Sequence, residues 1–230
     1  MINNNNLNLE SLGLRNQKKI RRNLPIKSLV DNILKNKEGN IGPKGSVLVD
    51  TGIYTGRSPK DKYIVEESTS KNKIWWGEVN KKISNATFDI LYKKVIEYYN
   101  EKNKSNTYIF DGFAGADSKH TLNVRFIAKK AWQSHFVHNM FIRPKSGDLN
   151  NFQPGFTIIN ASEVFNEDYK KLGMNSKTFI IFHLKKKVAI IGGTEYGGEM
   201  KKGIFSVLHY ILPQKDILSM HCSANVDKNF

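Results

Sequence analysis

Three short stretches carry residue types and spacings suited to chemistry on an anion. Residues 51–62 read Thr-Gly-Ile-Tyr-Thr-Gly-Arg-Ser-Pro-Lys-Asp-Lys. Gly52 and Gly56 let the backbone approach a ligand closely, while the hydroxyls, Arg57, Lys60 and Lys62 supply donors for an oxyanion. A charged surface turn has the same composition, and composition alone does not separate the two. Residues 192–203 read Gly-Gly-Thr-Glu-Tyr-Gly-Gly-Glu-Met-Lys-Lys-Gly, with four glycines in seven residues ahead of Lys201 and Lys202. The lysines fall at the start of a predicted helix, whose N-terminus adds its own positive end. The spacing is like that of a nucleotide-phosphate loop, but Glu199 stands where the lysine must be. No G-x-x-x-x-G-K-[ST] occurs in the 230 residues.

The third stretch is His221-Cys222-Ser223-Ala224-Asn225, which puts an imidazole beside the one cysteine of the sequence. A structural histidine is the plain reading there, and a nucleophilic Cys222 is only weakly signalled. His135 and His138 stand three apart, a spacing that permits a shared metal. Their apolar surroundings, including Ile127 and Ala131, read instead as core, and no H-E-x-x-H is present.

Bulk composition narrows the partners. The chain has 36 Lys+Arg against 21 Asp+Glu and a formal net charge of +15, a field that suits an anionic ligand. Thirty of the basic residues are lysine and six are arginine. Readers of bases and phosphates favour the planar fork of arginine, so nucleic acid is a poor fit. The lysines recur as scattered pairs such as Lys81-Lys82 and Lys170-Lys171 beside 25 asparagines, the joint enrichment that an AT-rich coding sequence produces. One cysteine excludes a disulfide framework within the chain and a four-thiolate metal site. No apolar run approaches the roughly 20 residues of a membrane helix. Met1-Ile2 and the four asparagines at 3–6 lack the apolar core of a secretory signal. The expectation is a cytoplasmic protein with a sizeable core and no membrane partner.

The elements that must position these stretches follow from periodicity. Residues 1–20 read as a polar, Asn-rich, frayed lead. Asn23-Leu24-Pro25 then opens an amphipathic helix with Ile26, Leu29, Val30, Ile33 and Leu34 on one face and Gly39 placed to stop it. Short buried strands at 46–50 and 63–66 flank the Arg57 loop. A helix over 84–101 turns Phe88, Leu91, Tyr92, Val95, Ile96 and Tyr99 inward. Strands at 107–111 and 156–160 are separated by an all-round apolar helix around 126–141, which belongs in the interior. Residues 178–184 and 188–191 form a hairpin through Lys185-Lys186-Lys187. A helix over 200–212 ends at Pro213, and 217–221 is a last strand candidate. Strands and helices alternate without a repeat, so the predicted class is α/β with a mixed sheet. Asp227-Lys228-Asn229-Phe230 follows directly with no closing element, so the chain is expected to stop short of a natural domain ending.

Taken in order, these stretches resemble the N-terminal part of the ATP-dependent phosphoenolpyruvate carboxykinases. The matching stretches are TGIYTGRSPKDKYIV at 51–65, VRFIAKKAWQSHFVHNMFIRP at 124–144, IGGTEYGGEMKKGIF at 191–205 and MHCSANV at 220–226. They run from about residue 20 to 226 in family order, and TGRSPKDK and YGGEMKKG point to the ATP-using rather than the GTP-using class. The resemblance implies the family's substrate-binding N-terminal domain, a mixed sheet with flanking helices. On this reading 1–20 is the lead, 21–216 the domain and 217–230 the start of a nucleotide-binding domain. The implied reaction is the reversible gluconeogenic conversion of oxaloacetate and ATP to phosphoenolpyruvate, ADP and CO2, with Mn2+ and Mg2+.

By position in the family motifs, the resemblance gives Arg57 the carboxylate of oxaloacetate or phosphoenolpyruvate. It places Tyr196 against the substrate and the CO2 region, and Lys201 where it neutralises the reacting carboxylate and phosphate. Lys202 and His221 become Mn2+ ligands that also border the nucleotide's transferred phosphate. Lys202 ligates only as the neutral amine, which requires a lowered pKa. Two departures stand out. The family's P-loop, acidic metal ligand and adenine region follow the point where these 230 residues end, and Glu195 replaces the tryptophan that commonly precedes the tyrosine. An extra carboxylate there is expected to weaken the positive field around Tyr196. The chain alone is therefore expected to be inactive: either half of a split enzyme whose nucleotide-binding domain is a separate partner chain or, equally, the truncated product of a frameshifted gene. A non-catalytic dicarboxylate- or anion-binding module, or a truncated relic, is the alternative.

Overall fold

The computed structural model describes residues 7–145, 147–223 and 225–228. Its strands in chain order are β1 (Lys19–Arg22), β2 (Asn40–Ile41), β3 (Val47–Leu48), β4 (Lys62–Val65), β5 (Lys81–Ile83), β6 (Asn106–Ala114), β7 (Leu122–Ala128), β8 (Phe156–Ala161), β9 (Phe179–His183) and β10 (Val188–Gly192). The helices are α1 (Ile26–Lys35), α2 (Asn85–Glu101), α3 (Ala131–Met140) and α4 (Gly198–Ile211). Eight strands form one mixed sheet in the order β1-β6-β7-β8-β10-β9-β4-β5, and β2 pairs with β3 as a separate ribbon. The central pairs β7–β8 and β8–β10 are parallel, whereas β9 and β10 form the expected antiparallel hairpin.

Alternation along the strands divides the core into two layers. Ile109, Ile127, Ile159, Ile181, Val188 and Ile190 face Phe88, Leu91, Val95 and Tyr99 of α2. Their neighbours Phe110, Phe126, Ile158, Ile180, Ala189 and Ile191 face Val137 of α3 and Met200, Ile204 and Val207 of α4. Strands covered on both sides read as continuous apolar runs, which is why β8, β9 and β10 are buried throughout. Tyr99 is fully buried, and its hydroxyl donates to the carbonyls of Asn160 (2.7 Å) and Ile127 (3.1 Å), tying α2 to two strands. Ser84 caps α2, its hydroxyl accepting from Thr87 N at 3.0 Å.

Several expectations need correction. The stretch read as frayed is anchored from Leu7 onward: Leu7, Leu9 and Leu14 are buried, and β1 pairs in parallel with β6. Spaced leucines between polar residues carried too little periodicity to reveal this, and residues 1–6 lie outside the described residues. The apolar helix around 126–141 is instead β7 followed by α3, divided at Lys129-Lys130. An unbroken apolar run does not distinguish a buried strand from a buried helix. Only Val47 and Leu48 of the 46–50 strand are extended, and Leu48 is exposed. Helix α1 ends at Lys35, where Lys37 takes a left-handed conformation (φ 57°) and Glu38 N donates to Ile33 O. Gly39 serves another purpose: a Cβ there would lie 2.4 Å from Leu48 O. Residues 217–221 form no strand. The ending at Asn229 and Phe230, like Ala224, falls outside the described residues.

Candidate functional site

Sheet register brings two of the three stretches together. Ile180 of β9 is paired with Lys62 of β4 on one side and with Ile191 of β10 on the other. The loop 51–61 therefore enters β4 at the same end of the sheet where the loop 193–197 leaves β10. Gly193 turns that corner with φ +68°, and Gly197 packs where a Cβ would lie 3.1 Å from the rings of Phe136 and Trp132. Helix α4 then starts at Gly198, with Glu199, Lys201 and Lys202 in its first turns.

Glu199 joins the two loops. It is 4% exposed, and its carboxylate accepts the Ser58 N–H at 2.6 Å. Burial raises its pKa above the ordinary carboxylate range, opposed by that N–H and by the nearby charge of Arg57. Arg57, Lys62, Lys202, Phe205 and His221 line one cavity of about 580 Å³, and Trp75 is also among its lining residues. A second cavity of about 630 Å³ shares Arg57 and Lys62 and adds Lys60, Lys81 and Glu199.

Lys202 Nζ lies 2.7 Å from His221 Nε2. Desolvation and the charges of Lys201 and Arg57 hold the Lys202 pKa below the ordinary lysine value. His221 is held down chiefly by Lys202, then by desolvation, Lys201, His209 and Arg57. Phe205 organises this corner. Its ring lies 4.2 Å from that of His209 and 5.0 Å from that of His221, with Lys202 Nζ 5.1 Å from its centroid. His209 Nδ1 also contacts Ser219 Oγ at 2.6 Å, which lays residues 217–221 along α4 rather than in the sheet.

Arg57, Lys202 and His221 thus converge. Lys201 acts on both Lys202 and His221 through its charge but does not line the cavity. Tyr196 does not line it either; its ring covers Gly198, where a Cβ would lie 2.4 Å from Cε1. Glu195 is directed elsewhere: it pairs with Lys130 and lines a separate cavity of about 650 Å³ with Lys102, Lys129 and Glu163. It is not among the charges that shift Lys202 or His221. His138 is buried as expected, yet its Nδ1 has no partner among the described residues. Among the described residues no group of three His, Cys, Asp or Glu is placed to hold a metal. Sequence reasoning missed Glu199, noting it only where a phosphate-loop lysine would stand, and missed Phe205, whose spacing of three from Lys202 puts both on one helix face.

The fold is a mixed α/β sheet with flanking helices, and its cationic cleft lies where a Gly-rich loop meets the N-terminus of α4. The family model described as phosphoenolpyruvate carboxykinase matches residues 18–230, and the chain belongs to that family. It is 52% identical over 221 residues to the phosphoenolpyruvate carboxykinase (ATP) of Leptospira biflexa, covering 96% of this chain and 41% of that protein. The Bacillus subtilis enzyme of the same name is 48% identical over 207 residues, covering 90% and 39%, and that of Campylobacter lari 48% over 218, covering 95% and 41%. The chain spans about 41% of the length of most of these curated relatives.

Proposed function

We propose that this chain is the substrate-binding portion of an ATP-dependent phosphoenolpyruvate carboxykinase, a cytoplasmic enzyme of gluconeogenesis acting on oxaloacetate and phosphoenolpyruvate. The observation that carries the reading is the convergence of Arg57, Lys202 and His221 on one cleft. Arg57 takes a substrate carboxylate through its two-pronged guanidinium. Loss of CO2 leaves an enolate, and Lys201 supplies positive charge near where that oxygen develops. Tyr196 borders the CO2 region.

Lys202 and His221 fit as two ligands of a divalent ion such as Mn2+, because both present nitrogen donors that lose their protons more easily than usual. The remaining ligands come from water, substrate or another part of the protein. Such an ion would polarise the enolate and phosphoryl oxygens. ATP and its Mg2+ are assigned to the part of the family's length that this chain does not span. That part is a continuation from residues 217–230 or a separate chain.

Titration of the 230-residue protein with oxalate, a stable dicarboxylate, tests the reading. Arg57→Ala is expected to weaken binding about tenfold or more, and Arg57→Lys to recover it poorly. Equal affinity in all three proteins would refute the assignment of Arg57.

A further inference from the structure

The Arg57 side chain is exposed on a loop, yet its use as a carboxylate clamp requires a fixed direction. Within the loop, Asp50 Oδ1 accepts Gly52 N at 2.8 Å and Thr51 Oγ1 donates to Tyr54 O at 2.6 Å, which shapes its first half. Its second half is tied to α4 by one contact from a buried group, the Ser58 N–H to Glu199 Oε1. Ser58 directly follows Arg57, and Glu199 precedes Lys202 by three residues, so this hydrogen bond spans the two halves of the cleft.

We propose that Glu199 is a positioning residue, whose carboxylate fixes the backbone at Ser58 and thereby sets the direction of the Arg57 guanidinium relative to Lys202 and His221. The inference rests on the reading of Arg57 as the carboxylate clamp. An ionised acceptor makes a shorter and stronger bond to a backbone N–H than a neutral one does, and this bond is 2.6 Å long. The charge has a second effect. Burial first, and then the charge of Arg57, lower the pKa of Lys62, while Glu199 acts on it in the opposite sense. The Glu199 carboxylate offsets part of the repulsion between these two cations. Asp61 is the other acid facing Glu199, and it is engaged by Asn175 Nδ2 at 2.8 Å and Ser176 Oγ at 2.9 Å.

The geometry distinguishes two substitutions. Glu199→Gln keeps an oxygen acceptor in nearly the same volume, whereas Glu199→Ala removes the acceptor and leaves Ser58 N–H without its partner. Two readouts are made on the full 230-residue protein: oxalate affinity by calorimetry, and hydrogen exchange of the Ser58 amide by NMR without ligand. Glu199→Ala is expected to weaken oxalate binding about tenfold and to speed Ser58 exchange at least tenfold, with distant β8 amides unchanged. Glu199→Gln, which keeps an acceptor but loses the charge, is expected to fall between wild type and Glu199→Ala on both. Unchanged Ser58 exchange in Glu199→Ala would overturn the proposal. So would equal loss of oxalate binding in the Gln and Ala proteins, or loss of protection throughout β8 in Glu199→Ala, since that marks a structural role. A wild-type protein that binds no oxalate sinks the carboxylate reading and the purpose assigned to Glu199. The Ser58 exchange comparison then still decides whether Glu199 holds the loop.

Discussion

Lys202 Nζ and His221 Nε2 stand 2.7 Å apart although nineteen positions separate the residues. At that distance one nitrogen must offer a lone pair to a proton on the other. The pair is a consequence of packing: Phe205 lies against the His221 ring and beneath Lys202, while Ser219 is tied to His209. Two facing nitrogens are an incomplete ligand set, so Mn2+ should bind this chain weakly. A paramagnetic-relaxation titration should show weaker binding in His221→Ala and in Lys202→Met. Tight binding that survives both substitutions would place the ion elsewhere.

Glu195 should be irrelevant to the anion cleft. Its carboxylate is neutralised by Lys130 and opens on a different cavity. Glu195→Gln is therefore expected to leave oxalate affinity within about twofold of wild type, since surface charges at a distance are screened. A severalfold gain in affinity would mean that the carboxylate does reduce the field at Arg57 and Lys202, as its place beside Tyr196 first suggested.

The sequence disclosed the two loops because glycine, arginine and lysine types at fixed offsets report local chemistry. It disclosed α2, α4 and the β9–β10 hairpin because their apolar patterns are long and bounded by turn residues. Other parts depend on contacts that no local pattern records. The β7–α3 boundary is hidden inside one apolar run, and β1 exists because β6 offers it an edge. The contact between Glu199 and Ser58 depends on a sheet register that aligns Lys62 with Ile191 across β9. Tyr196 and Lys201 were expected at the site from the family motifs, yet neither lines the cavity that Arg57, Lys202 and His221 share.

Asp111 holds a buried cluster in which cations outnumber anions. Its carboxylate takes Arg125 Nε at 2.7 Å and Arg22 Nε at 2.9 Å, with all three side chains almost fully buried. Arg125 Nη1 also donates to Leu7 O, which ties the N-terminal stretch to the sheet. Asp111→Ala leaves two guanidiniums in the interior without their carboxylate and should cost ~3–5 kcal/mol in urea unfolding. Asp111→Asn, which keeps an acceptor, should cost less. A loss under ~1 kcal/mol for the alanine protein would show that both arginines reach water on relaxing.

His183 should make stability depend on pH. Its Nδ1 accepts Lys186 N–H (3.3 Å) in the β9–β10 turn, and its Nε2 contacts Asn85 Oδ1 (3.0 Å) at the start of α2. Only the neutral ring with its proton on Nε2 satisfies both. Desolvation lowers its pKa first, and Lys186 and Lys185 push the same way, while Glu67 and Asp89 oppose them. The unfolded chain therefore binds a proton more readily than the folded one, and stability rises with pH across that interval. His135 and His138 are shifted in the same direction by burial and by Arg143. The unfolding midpoint should fall as pH is lowered from about 7 to about 5. His183→Gln should remove up to one proton from that dependence, whatever it does to stability at neutral pH. An identical slope in the two proteins would mean that His183 binds its proton equally readily in the folded and unfolded chain, so that the Lys186 N–H does not hold its ring neutral.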